Sequence, residues 1–275
     1  MRKLRVTNGV FWVEIPEADL RVLCGCPADV VKHLIASGLV APTERSGVRF
    51  ETGPNAILLS DLPVQGGTFS NLAEFPVLQM LYRQGMLLPG HPNNDGRRPM
   101  LIGIGDQLRA QAAYIFRGNY GLASLEELRD TGLDGDRARE IWRWKLRFAF
   151  DRIRDTDALL DLRDAGRGPV ELAPGVTLER RGLNRYAFSQ AGETLEVDLN
   201  LAPGEWYLPP YQLPPRTIQR EFFSVVHTGE GDGWNPRRPC MASLLCHQGR
   251  LYLIDAGPGI THTLDALGIT ANEID

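Results

Sequence analysis

Metal-binding and redox side chains are scarce in this sequence. Five histidines and four cysteines occur in 275 residues, and no histidine lies between His91 and His227. Cys24 and Cys26 are separated by one residue, and no Cys-x-x-Cys pair occurs. Zinc takes three or four N, S or O ligands, and no cluster at recognised spacing supplies them. Four cysteines in a chain of this length form no disulfide framework, so the cytoplasm is the default location. No apolar run approaches the roughly 20 residues of a membrane helix, and no membrane partner is expected. The basic start, Met1 to Arg5, runs into Asn8, Gly9 and Glu14 and does not read as a signal peptide. Thirty basic against 34 acidic residues leave a net charge of −4, which gives no overall basic footprint for nucleic acid.

What is present is ordinary soluble-domain material. A hydrophobic content of 43% with 23% charged residues suits one large domain, or one domain and part of another. The most organised stretch lies late, from Ser243 to Ile260. It reads as strand, Gln248-Gly249 turn, strand (Leu251 to Ile254), then a sharp bend at Asp255-Ala256-Gly257-Pro258-Gly259. A short helical segment with Leu264 and Leu267 on one face follows, stopped by Gly268. Asp255 is thereby expected at the C-terminal end of a buried strand, where α/β proteins build sites.

Leu253-Ile254-Asp255-Ala256-Gly257-Pro258 resembles the opening of the metallo-β-lactamase fold, and Val225 to Gly231 resembles the first strand and Gly-containing loop of that family. The family's T-H-x-H-x-D-H metal motif would then be expected past residue 275. Its resemblance implies Asp255 as a residue that holds the metal loop from behind, and two divalent metals, zinc being expected, in a complete second copy. His227 and His247 do not fall on ligand positions.

The front of the chain resembles the same pattern. Leu20 to Pro27 can be laid on Leu251 to Pro258, each leading to a helical segment closed by Gly38 or Gly268. Downstream, Ser60-Asp61-Leu62-Pro63-Val64-Gln65-Gly66 takes the position of the metal motif. Only Asp61 there could bind a metal, and one carboxylate does not hold zinc. The resemblance therefore implies an α/β (α+β) chain: a degenerate metallo-β-lactamase-like αββα sandwich over 1–200, a proline-rich linker over 201–215, and the first hairpin and helix of a second copy over 216–275.

Other features carry two readings each. Cys24 and Cys26 are either buried small residues or a reactive thiol at a helix start. His91, between Gly90 and Pro92, is either a structural loop residue or, with Asp61, part of a pocket. A helix from about 136 to 154 alternates Arg137, Arg139, Arg143, Lys145, Arg147, Arg152 and Arg154 with Trp142 and Trp144. It is either a solvated face with i,i+4 pairs or a surface for RNA or a phosphorylated ligand. Residues 170–199 read as all-β, with a Pro174-Gly175 hairpin. Two functions follow. One is the front of a metal-dependent hydrolase acting on an ester or phosphodiester, the arrangement seen in long-form tRNA 3′-endonucleases and in cyclic-nucleotide phosphodiesterase-like enzymes, with no catalytic or metal residue within 1–275. The other is a non-catalytic binding protein on a degenerate fold. Nucleic acid stays open as a partner, and a homodimer is a candidate state.

Overall fold

The computed structural model describes all residues, Met1–Asp275. The chain opens as an antiparallel meander, β1 (Arg2–Thr7), β2 (Val10–Ile15) and β3 (Leu20–Cys24), followed by α1 (Val30–Ala36). A side hairpin of β4 (Pro42–Arg45) and β5 (Val48–Glu51) leads to β6 (Ala56–Leu58). A small hairpin of β7 (Val64–Gln65) and β8 (Thr68–Phe69) leads to α2 (Glu74–Leu78). Then come β9 (Met100–Gly103), α3 (Gly105–Tyr120), α4 (Leu125–Asp130), α5 (Gly135–Phe148), α6 (Thr156–Leu159) and β10 (Asp161–Asp164). Strands β1, β2, β3, β6, β9 and β10 form one sheet in that order, with β3, β6, β9 and β10 parallel.

Alternation along these strands sends successive side chains to opposite faces. Trp12, Leu23, Ile57 and Leu101 meet the helices. Val13, Val22, Cys24, Leu58 and Ile102 meet a second sheet. That sheet is an antiparallel run of β11 (Val170–Ala173), β12 (Val176–Gly182), β13 (Arg185–Gln190) and β14 (Glu193–Asp198). Its inner residues include Leu178, Tyr186, Phe188 and Val197. Its outer face carries exposed Arg185, Thr194, Glu196 and Asp198. Three layers result, helix, sheet and sheet. The fourth layer of the expected αββα sandwich is not built by these residues, because the face it would cover is polar.

The expected linker is not a free spacer. The first half of the strap over 201–215 is stapled to the front unit, where Asn8 Nδ2 donates to Trp206 O at 3.2 Å and His33 Nε2 meets Leu208 O at 2.6 Å, and just past its end Arg216 N donates to Ala266 O of the back unit at 2.7 Å. Beyond it, β15 (Phe223–Gly229), β16 (Ala242–His247) and β17 (Arg250–Ile254) make a separate antiparallel sheet, with α7 (Ile260–Ala266) on one face. Leu244, Cys246, Leu251, Leu264 and Ile269 are its core.

This last unit repeats the register of the first. In the front, Arg5 pairs with Phe11 and Phe11 with Cys24; in the back, His227 pairs with Ser243 and Ser243 with Ile254. The β1–β2 ladder is interrupted between Arg5 and Thr7, and the β15–β16 ladder at the matching place, between His227 and Gly229. Helices α1 and α7 each span seven residues and end on left-handed glycines, Gly38 (φ 70°) and Gly268 (φ 66°). Asn55 N donates to Arg21 O at 2.9 Å, as Asp275 N does to Leu251 O at 2.7 Å. The match runs one residue away from the one drawn on sequence: Leu20 falls on Arg250, and Pro27 on Gly257.

Candidate functional site

The loop at the expected metal-motif position is knitted shut. Asp61 is buried, and both its oxygens are engaged. Oδ2 accepts from Arg180 Nε at 2.8 Å and from Asn184 N at 2.7 Å, and Oδ1 accepts from the Tyr186 hydroxyl. Burial, and then the Asp61 carboxylate, raise the Tyr186 phenol above its ordinary value. Ser60 Oγ donates to Asn184 Oδ1 at 2.9 Å, and Gln65 Nε2 donates to Tyr207 Oη at 2.9 Å. Pro63 and Gly66 carry no side-chain atom to offer a metal. A metal pair therefore does not fit this loop, and no group of three or more His, Cys, Asp or Glu side chains elsewhere in the structure could hold a metal ion.

The other residues singled out on sequence fall apart from it. The His91 ring packs edge-on against Phe50 at 5.0 Å, accepts from Asn93 N at 3.1 Å through Nδ1, and lies over Gly85, where a Cβ would collide with it. It organises a turn, and the structure does not bring it to Asp61. Cys24 and Cys26 are fully buried. Burial pushes the Cys26 thiol up to about 12 and the Cys24 thiol higher still, so neither is a ready thiolate at neutral pH. Asp255 does not end a buried strand. It is exposed, with φ 66°, past the end of an outer strand of the three-stranded sheet.

A cavity of about 480 Å3 lies where the two units meet. Its walls are the residues after β3 (Pro27 to Val31), the loop after β6 (Gly67 to Phe69, Leu72), Glu74 and Phe75 of α2, Tyr114 of α3, Tyr207 to Pro209 of the strap, and the bend after β17 (Ala256 to His262). These are the carboxyl ends of strands, the general location of sites in α/β sheets. Beneath it the two units are bolted together. Lys32 is wholly buried; its Nζ donates to Arg238 O at 2.7 Å, lies 3.4 Å from Asp29 Oδ1 and sits 5.0 Å from the Tyr211 ring centroid. The Tyr211 hydroxyl donates to Asp29 Oδ2 at 2.8 Å. Burial and the Asp29 charge raise the Tyr211 phenol. Asp29, at the start of α1, faces Gly259, the matching residue at the start of α7. Any Cβ there would strike the Asp29 carboxylate and the Tyr211 hydroxyl.

The lining is apolar and aromatic, with two carboxylates, Asp29 and Glu74, and no lysine or arginine. His262 Nε2, also in the wall, is buried without a hydrogen-bond partner. The cavity is within the size range of small-molecule sites; Asp29 is already engaged by Lys32 and Tyr211, which leaves Glu74 as its carboxylate without an ion-pair partner. The Tyr207 hydroxyl is committed to Gln65, and burial pushes its phenol up to about 12. No nucleophile in the wall is hydrogen-bonded to a base. Sequence reasoning missed Asp29, Lys32 and Tyr211. The Asp29–Lys32 spacing of three is the one signal that was present.

No protein-family model matches this chain, and no curated protein matches it.

Proposed function

We propose that residues 1–200 are a metal-free unit of metallo-β-lactamase type and that residues 216–275 open a second unit of the same build. In this reading the protein is the front of a metal-dependent hydrolase of esters or phosphodiesters. Its dinuclear site, expected to take zinc, needs residues other than these 275. The observation that carries the reading is the repeated β-meander, with the same register, the same ladder interruption and the same seven-residue helix. Asp255 takes the place of Gly25 in the repeat, and its exposed carboxylate is free to orient a neighbouring loop. The test is elemental analysis of this 275-residue protein beside any longer form that its source makes. About two metals per chain in the longer form alone is the expected result. Stoichiometric metal on residues 1–275 would overturn the metal-free front unit.

A second reading, a non-catalytic binding protein, is favoured by the shared cavity. Its wall holds Glu74 and no lysine or arginine, so it offers an anionic phosphodiester no counter-charge. Absence of metal from both forms, with saturable binding of an uncharged or cationic small molecule that Glu74→Arg abolishes, would select it.

A further inference from the structure

Helix α5 is divided along its length. In its first half the charges are matched: Arg137 pairs with Glu140 at 2.6 Å, and Arg139 with Asp136. In its second half they are not. Arg143, Arg147, Arg152 and Arg154 lie within one short stretch and have no carboxylate partner; single exposed arginines elsewhere, such as Arg129 and Arg237, also lack one, whereas Arg49, Arg97, Arg117 and Arg185 are paired, and no other stretch gathers four unpaired ones. The expectation of a solvated face laced with ion pairs therefore holds only for the first half.

The same stretch bares its aromatic residues. Trp144 is 51% exposed, Phe148 81% and Phe150 46%. Trp144 and Phe148 are four residues apart and share one face of the helix. The inward face is occupied otherwise: Ala138 is buried, and Lys145 Nζ donates to Tyr120 O at 2.7 Å. The helix stops at Phe148, short of the expected 154. Phe150 (φ 55°) and Asp151 (φ 63°) then turn through left-handed conformations, which cost energy in non-glycine residues. Behind them lies a cleft of about 140 Å3 whose wall includes Tyr82, Tyr120, Phe150, Arg152 and Arg154.

Unpaired guanidinium groups interleaved with exposed aromatic rings match the chemistry of a single-stranded polynucleotide. Phosphates meet the arginines, and bases stack on rings without regard to sequence. We propose that the second half of α5 and the turn behind it dock single-stranded nucleic acid, with Trp144, Phe148 and Phe150 as stacking platforms and Arg143, Arg147, Arg152 and Arg154 on the backbone. Four arginines against Asp151 and Asp155 leave this stretch with a local positive excess that the overall net charge of −4 does not show. The proposal is independent of the tandem reading and assigns no cleavage to this surface.

Fluorescence anisotropy with labelled 15-mers of dT and rU, on the full chain, tests it. Binding should weaken with salt, with a slope of log K on log salt of about −3 for four phosphate contacts to a single strand. The double variant R143E/R147E should weaken binding more than tenfold and flatten that slope. W144A/F148A, which removes two stacking platforms, should weaken it at least about 30-fold at unchanged slope. R49E, on the β4–β5 hairpin and outside the proposed surface, should leave it intact. All four substituted side chains around α5 are at the surface, and circular dichroism checks that the fold persists. Absence of binding at 20 mM salt overturns the proposal, as does equal loss in R49E. Binding to anionic lipid vesicles without binding to either oligonucleotide also overturns it, in favour of a membrane-surface helix.

Discussion

The two β-meanders share a backbone plan and differ in what covers them. In the front unit, Val13, Val22 and Cys24 are fully buried beneath the second sheet. The residues at matching register positions in the back unit are Leu245, Tyr252 and Ile254, and none of the three is buried. Phe223 and Val225 lie on that same open face, exposed. Register is set locally, by alternation and by the turn that joins two strands. Burial is set by a partner layer that the meander does not carry. A repeat can therefore be complete as backbone while only one of its copies has a finished core. In the front copy Asp61, Ser60 and Gln65 hold loops together.

The lock around Asp61 offers the strongest way to break that contrast. Asp61→Ala leaves Arg180, the Tyr186 hydroxyl and Asn184 N without their shared acceptor. Removing one partner from a buried charged network costs about 3–5 kcal/mol. Urea unfolding should show that loss, with no change in metal content. A loss below about 1 kcal/mol would mean that the network is incidental and that the loop is still free to be a site. Asp61→Asn keeps the shape and part of the bonding, and should fall between.

Much of the fold could be read from sequence. The Gln248-Gly249 and Pro174-Gly175 hairpins and the glycine stops at Gly38 and Gly268 are local signals with local causes. The repeat was legible too, one residue out of step. Matching Leu20 to Leu251 and Pro27 to Pro258 aligns like residues but swaps the two faces of the strand, since a slip of one reverses every side chain. The paired ladders fix Leu20 on Arg250 instead. Helix α1 starts at Val30, directly after Asp29 turns left-handed (φ 57°). The site was less legible. Asp61 meets Arg180, Asn184 and Tyr186 across more than a hundred residues of chain, and nothing near any of them marks the meeting. Lys32 reads as a surface residue in a short helix. Its burial depends on Tyr211 and Arg238, which arrive from the strap and the back unit.

A smaller effect is expected where the strap joins the front unit. Burial lowers the His33 pKa, opposed by its bond to Leu208 O and by Asp29. A histidine whose folded pKa is depressed favours the neutral form in the native state. Its contribution is intact above the ordinary value near 6.5 and is lost as pH falls below it, because the unfolded chain then binds the extra proton. Urea midpoints measured from pH 7.5 to 5.5 should therefore decline for the wild type and decline less for His33→Gln. Equal slopes would remove His33 as the cause and leave the strap without a pH-sensitive contact.

The smallest expected change is the most direct probe of the open face. Lys3 in the front meander and Val225 in the back occupy the same register position, opposite Val13 and Leu245. Val225 is 58% exposed. If that face meets water in the working protein, Val225→Lys merely installs the residue that the front copy already carries there. Surface substitutions of this kind fall within about 0.5 kcal/mol, and the variant should be the more soluble, because an exposed apolar sheet face is an association hazard. A loss several times larger, or a fall in sedimentation coefficient to that of a smaller particle, would mean that another layer normally lies on Phe223, Val225 and Ile254. The back meander would then be a half of a core, as the front one would be without the second sheet, and the difference between the copies would lie in which molecule or segment supplies the cover.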